Sequence, residues 1–336
     1  MALLTGRNFY KPFTYPSFYK RWIDHEKSHW MTAEVPMHDD IIDWNTKLTR
    51  GQKDFLTNIF RFFTQGDVDV AEAYYTQYLP YFKLPEVTMM LGGFASRESI
   101  HIDAYSYLLE TLGMPEATYK EFLTYKEMKD KHDYIKTFSQ HSDLLSKSNL
   151  SIEDKEHIAA SIALFSGFTE GMQLFSTFAM LLIFPLNGLM KGMGQIVTWS
   201  RTDEVQHVEG MIELFQTFLK ENPDIRRDVL KDKIEKIAIE MVKLETAFIH
   251  LLFKTYDEKD FFALTSEKLI RYIEFIANTR LTSMGYDNIF ETIVNPLPEL
   301  AMLTDIPSHT NFFENTSTDY ANTATTGSWN TIWDKN

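Results

Sequence analysis

Between residues 50 and 290, apolar side chains recur at intervals of three, four and seven positions, as in Phe55, Ile59, Phe62 and Phe63. That period lays an apolar stripe along one side of a helix. Breakers separate the stripes at Pro80 and Pro85, at Gly113-Met114-Pro115, at Pro185-Leu186-Asn187-Gly188 and at Asn222-Pro223-Asp224. Glycine frees φ and proline lacks an N–H, so each cluster marks a helix end or start. No alternating run bounded by hairpin turns is long enough to build a sheet, and no repeat of fixed period occurs. The pattern predicts an all-α chain.

Residues 308–336 change character. Ser, Thr and Asn dominate there, with Tyr320, Trp329 and Trp333 spaced through the stretch. Too little apolar surface is available to offset the entropy of ordering, so a flexible tail is expected, with large aromatics as docking anchors. Residues 1–307 then make a single helical domain. Its most apolar run, Leu174 to Met190, contains Pro185 and Gly188 and closely follows Glu170. A buried helix is expected there rather than a membrane span.

Composition narrows the function classes. A 336-residue chain that is 44% apolar can bury a sizeable core. A net charge of −14 and a pI near 5.2, with no basic stretch, argue against nucleic acid as a partner. No basic segment followed by a short apolar core opens the sequence, so the cytoplasm is the default expectation. Cysteine is absent, which excludes disulfides, thiolate metal sites and thiol nucleophiles. Any metal must be held by His, Asp and Glu, a donor set suited to iron or manganese.

Such a set exists. Residues three apart on a helix are neighbours, so Glu98 and His101 in ESIHIDAYSYLL can share an ion. One Glu-x-x-His is weak, since about one match arises by chance in a chain this long; Glu26-x-x-His29 is read as that match. A second lies in DEVQH, as Glu204 and His207. Two-metal carboxylate bundles combine two such helices with one acid from each of two others. Glu170 stands alone in the apolar run GFTEGMQLFSTFAMLLIF, and both Asp67 and Asp69 precede Glu98. Glu170 lies 34 residues before Glu204, and Asp67 lies 31 before Glu98, each interval fitting one helix, a turn and a helix back. A lone buried carboxylate is costly, and a cation removes that cost.

Together, FTQGDVDV, YLPYFKLPEV, ESIHIDAYSYLL, the Glu170 helix, DEVQH and YIEFIANTRL resemble the small, radical-generating subunit of class I ribonucleotide reductase, from Trp30 to the tail. The resemblance implies a ferritin-like helical bundle with extra helices. It selects Asp67 over Asp69, giving Asp67, Glu98, His101, Glu170, Glu204 and His207 as ligands of a dinuclear centre of two irons, two manganeses or one of each. It implies Tyr105 as radical tyrosine, Trp30 as electron relay, Asp203 as the acid linking Trp30 to a ligand histidine, and Tyr320 as the mobile tyrosine of the tail. One departure stands out: Ser200 occupies a position the family usually fills with an apolar side chain, beside the radical pocket. With no cysteine the chain cannot reduce a nucleotide alone. The implied partners are a large catalytic subunit, a second copy of the chain and an activating flavoprotein, with neither nucleic acid nor membrane. The competing reading is a dimetal oxygenase or oxidase acting directly on a small or lipid substrate.

Overall fold

The computed structural model describes residues 2–139, 147, 149–254, 262 and 264–298, without the side chains of Thr64 and Ser139. The expected tail, with Tyr320, lies outside the described residues. Within them no strand occurs. The helices are α1 (Pro16–Lys27), α2 (His38–Thr46), α3 (Arg50–Ala73), α4 (Pro85–Thr111), α5 (Thr118–Glu121) and α6 (Lys126–Ser139). They continue with α7 (Ile152–Ile162), α8 (Phe175–Leu186), α9 (Lys191–Glu221), α10 (Arg227–Phe253) and α11 (Ser266–Met284).

Local chemistry sets these boundaries. Pro16 and Pro85 open α1 and α4, where a missing N–H costs nothing. The Thr49 hydroxyl accepts from the Gln52 N–H while the Gln52 side chain accepts from the Thr49 N–H, and Ser151 and Asp154 do the same for α7. Gly285 closes α11 at φ 94°, a left-handed conformation that suits glycine. Helix α9 starts on a borrowed cap: the buried Asp40 of α2 accepts from the backbone N–H groups of Gly192 and Met193 at 2.7 and 2.8 Å.

Two segments depart from the α-helical period. Tyr74–Tyr78 extends α3 as a π-helical turn, and Ala163–Leu174 joins α7 to α8 as a π-helix. The continuous helix Ile152–Leu186 is long and apolar enough to cross a membrane, but its most apolar window is entirely buried inside the bundle. Helices α3 and α9 pack against the π segment Ala163–Leu174, with α4 against α3 and α9, α1 against α4 and α9, and α10 and α11 also against the π segment. Aromatic and aliphatic side chains fill the centre, among them Phe55, Phe63, Phe94, Phe165, Phe168 and Phe178.

One charge pair lies in that interior away from the other acids. Lys131 of α6 donates to Glu245 of α10 at 2.5 Å, both fully buried, with the ammonium 4.4 and 4.3 Å from the ring centres of Phe62 and Phe248. Removing one member strands the other in a medium that cannot solvate it. Lys131→Met is therefore expected to destabilise the fold by about 3–5 kcal/mol, and adding Glu245→Gln to recover most of that loss. Denaturant unfolding of the two variants checks this.

Candidate metal centre

Asp67 is on α3, Glu98 and His101 on α4, Glu170 in the π segment, and Glu204 and His207 on α9. Each is at most 1% exposed. The spacing of three in α4 and α9 sets acid and imidazole on one helix face, and the two faces look at each other across the bundle.

The two α-helical glutamates each span both imidazoles. Glu98 places Oε1 3.0 Å from His207 Nδ1 and Oε2 3.5 Å from His101 Nδ1. Glu204 places Oε1 3.2 Å from His101 Nδ1 and Oε2 3.3 Å from His207 Nδ1. Glu170 Oε1 lies 3.4 Å from His207 Nδ1. Ligand atoms of Glu98, Glu170, Glu204 and His207 all fall within 4.8 Å of one another. The charges of Glu98, His101, Glu204 and Glu170 all act on Asp67.

Although buried, both oxygens of Glu98 and of Glu204, Asp67 Oδ2, Glu170 Oε2 and His207 Nδ1 make no hydrogen bond. Buried carboxylates without donors are expensive, and so many converging on two imidazole nitrogens fit a pair of divalent cations. The oxygen-rich donor set exceeds what a four-coordinate zinc site uses. Glu98 and Glu204 each turn one oxygen to His101 and the other to His207, and both histidines present Nδ1 to the acids.

Without metal the cluster redistributes protons. Burial and its acidic neighbours raise Asp67 well above the usual carboxylate range, and burial raises Glu170 to about 7. Burial works against charge on His101 and His207, but the Asp203 contact of His101 and the close negative charges around both push them well above the ordinary imidazole range. Glu98 is held down at about 2, because its contacts with both imidazoles outweigh its burial.

A ring of further residues fixes these side chains. Tyr74 donates to Glu170 Oε1 at 2.9 Å. His101 Nε2 faces Asp203 Oδ2 at 3.2 Å, and the same oxygen accepts from Trp30 Nε1–H at 2.7 Å. Arg97 donates to Asp203 Oδ1 at 2.8 Å. Burial would raise Asp203, but the His101 contact and the Arg97 charge hold it down at about 2. The Trp30 ring stacks on His101 with centroids 6.0 Å apart and lies 5.2 Å from Trp199. His207 Nε2 meets His25 Nε2 at 3.1 Å. Burial, then the charges of His207 and Arg97, push His25 down to about 2, so it is neutral.

Tyr105 is one turn beyond His101, with its ring 4.4 Å edge-on to Phe63. Burial and the Asp67 charge raise its phenol well above the ordinary tyrosine range. The Tyr105 and Ser200 hydroxyls are both buried and make no hydrogen bond. Asp69, the other acid open to the spacing argument, is also buried but turns to α6, where His132 Nδ1 lies at 2.7 Å and Lys136 at 3.2 Å.

Three of these neighbours have no place in the reading of the sequence. Tyr74 follows Asp67 by seven residues, two turns along the same face, so periodicity alone can reach it. Arg97 lies four residues before His101 on one helix face, which is a second usable signal. His25 carries no such signal, because α1 ends before Trp30 and only tertiary packing brings it to His207.

The sequence model of the ribonucleotide reductase small chain matches residues 7–296. The chain belongs to the ribonucleotide reductase small-chain family. A probable ribonucleoside-diphosphate reductase small subunit of Invertebrate iridescent virus 6 is 66% identical over 358 aligned positions, covering 100% of this chain and 99% of its own. Among solved structures, the dimanganese(II)-NrdF of Streptococcus sanguinis superposes with a TM-score of 0.72 at 18% identity, over 88% of this chain and 99% of that one. The Rnr4 homodimer of Saccharomyces cerevisiae gives 0.70 at 20% identity, over 95% and 92%. At those identities the likeness establishes the shared helical fold. The small chain is therefore a helical bundle like theirs, in which a carboxylate–histidine cluster lies at the centre.

Because the surrounding acids raise His101 and His207 well above the ordinary imidazole range, an incoming ion competes with protons for both. Apparent manganese affinity should then weaken on acidification, about tenfold per pH unit for each proton displaced. Binding isotherms at about pH 6 and about pH 8 check the sign; an affinity independent of pH contradicts it.

Proposed function

We propose that Asp67, Glu98, His101, Glu170, Glu204 and His207 hold two metal ions, and that the small chain stores an oxidising equivalent for a separate large subunit that reduces ribonucleoside diphosphates. The observation that carries this reading is the continuous contact from Glu98 and Glu204 through His101 and Asp203 to Trp30. A pair of iron or manganese ions, or one of each, would supply the oxidising power when bound there, with oxygen or a reduced oxygen species from a flavoprotein as the oxidant.

The chain's own residues govern where that oxidising power rests and how it leaves. Glu98 and Glu204 offset the positive charge of both ions, and the apolar walls around them exclude water. Asp203, kept ionised beside Arg97, orients His101 so that Nδ1 faces the cluster. The same carboxylate offers Trp30 an acceptor for its Nε1 proton, so an electron can leave the indole without stranding a charge in the interior. Tyr105, protonated in its apolar pocket, is the side chain placed to hold the oxidising equivalent. Ser200 beside it is the residue that tunes whether the equivalent rests on the phenol or on the metals.

The missing cysteines assign the substrate chemistry to the partner. The small chain works as a homodimer in the cytoplasm, as one domain over residues 1–307, with residues 308–336 docking the large subunit and Tyr320 bridging the subunit boundary. Direct oxidation of a small or lipid substrate is not favoured, since an oxygenase has no use for the Trp30–Asp203 pair.

Deoxynucleotide formation by the metal-loaded small chain mixed with its cognate large subunit tests this reading; no product from a fully loaded centre contradicts it. Trp30→Phe keeps the ring and loses the N–H, so it should leave metal content unchanged while lowering turnover by at least about tenfold. Truncation of residues 308–336 should abolish turnover with the spectrum of the centre intact, whereas full activity of the truncated chain removes the docking role.

A further inference from the structure

The two expected histidine ligands have different supports. His101 points Nδ1 at Glu98 and Glu204 and Nε2 at the Asp203 carboxylate. His207 points Nδ1 at Glu98, Glu170 and Glu204, but among the described residues the hydrogen-bond partner of its Nε2 is a second imidazole, His25, at 3.1 Å. A histidine that ligates through Nδ1 carries its proton on Nε2, and that proton needs an acceptor.

We propose that His25 is a positioning residue for His207: its Nε2 accepts the Nε2 proton of His207 and so keeps the Nδ1 lone pair on the metal position. This rests on the dimetal reading above. His25 must then be the tautomer protonated at Nδ1. That nitrogen faces the Glu26 carboxylate, whose Oε1 lies 3.9 Å away and whose side chain is 46% exposed. No hydrogen bond holds that nitrogen, whereas Nε2 lies at hydrogen-bond distance from His207 and is the atom placed to accept.

Packing holds this pair in register. Phe94 meets His25 edge-on at 5.0 Å and His207 at 4.5 Å, so one ring wedges both imidazoles. Two glycines make the room. A Cβ on Gly210 would come within 2.9 Å of the Phe94 ring, and one on Gly93 within 3.1 Å of Trp22 and 3.2 Å of Glu26 Oε1. Helix α1 therefore approaches α4 closely enough for His25 to reach the centre. The consequence is an asymmetric centre: a carboxylate backs His101, and a neutral imidazole backs His207, which makes His207 the weaker electron donor.

The amide variants of His25 separate position from polarity. His25→Gln sets an amide oxygen near the place of Nε2, while His25→Asn sets it near Nδ1, short of His207. The full-length chain loaded with cobalt(II) should show two exchangeable, paramagnetically shifted imidazole N–H signals, one for each ligand histidine. In His25→Gln both should persist. In His25→Asn the His207 signal should disappear into exchange with water and one cobalt equivalent should loosen about 10–100-fold, with the His101 signal unmoved. Wild-type behaviour of His25→Asn, or equal losses in both variants, overturns the proposal.

A measurement on the unaltered chain needs no variant. In the zinc-loaded, heavy-nitrogen-labelled protein, a coupling transmitted through the hydrogen bond between the Nε2 atoms of His25 and His207 is expected. A His207 proton found on Nδ1 overturns the proposal. Failure of the dimetal reading looks different: the wild type then takes up less than about two cobalt ions per chain and shows no shifted signals.

Discussion

Uncompensated negative charge at the centre of an apolar bundle is the constraint on which the rest of the structure depends. Asp67, Glu98, Glu170 and Glu204 are withdrawn from water, and most of their oxygens have no donor. Isolated ionised groups in such surroundings cost several kcal/mol each. Within the described residues the compensation on hand is two imidazoles and the Tyr74 hydroxyl, which leaves room for cations. In the absence of metal, burial favours a proton on Asp67 and Glu170, and the acids favour one on each histidine, all of which lower that charge.

Several other features arise from the need to hold those acids still. The π-helix Ala163–Leu174 breaks the ordinary helical register at the segment that carries Glu170, and such segments often mark functional sites. Its neighbour, the π turn Tyr74–Tyr78, brings the Tyr74 hydroxyl onto Glu170. The Asp40 cap anchors the first turn of α9, more than two turns before Glu204 and His207. The Arg97–Asp203 pair ties α4 to α9 next to His101, and Arg97 also donates to the Ser28 and His25 carbonyls at 3.0 and 3.3 Å. That second set of bonds sets the segment carrying Trp30 against the centre.

Much of this was legible before any coordinates. The apolar period located the long helices, and the breakers at Pro85, Gly113, Pro185 and Asn222 fall at or next to observed helix ends. Repeated Glu-x-x-His spacing and a solitary acid in an apolar run pointed to the residues that the structure gathers at its centre. The choice between Asp67 and Asp69 was not available from spacing, because both precede Glu98 by a similar interval and both are buried; what separates them is the presence of His132 and Lys136 on a helix distant in sequence. The π segment Ala163–Leu174 was illegible for a related reason: it is buried on every side, so no polar face reveals its period. His25 depends on the close approach of α1 to α4, which no local pattern encodes.

The central claim is that two ions sit between the imidazoles, spanned by Glu98 and Glu204. Anomalous diffraction from crystals of the manganese-loaded chain tests it most directly. The account predicts two peaks inside the bundle, one beside Nδ1 of each of His101 and His207, with Glu98 and Glu204 touching both. A single peak, or metal bound only at surface acids with the central carboxylates left hydrogen-bonded to one another, contradicts it.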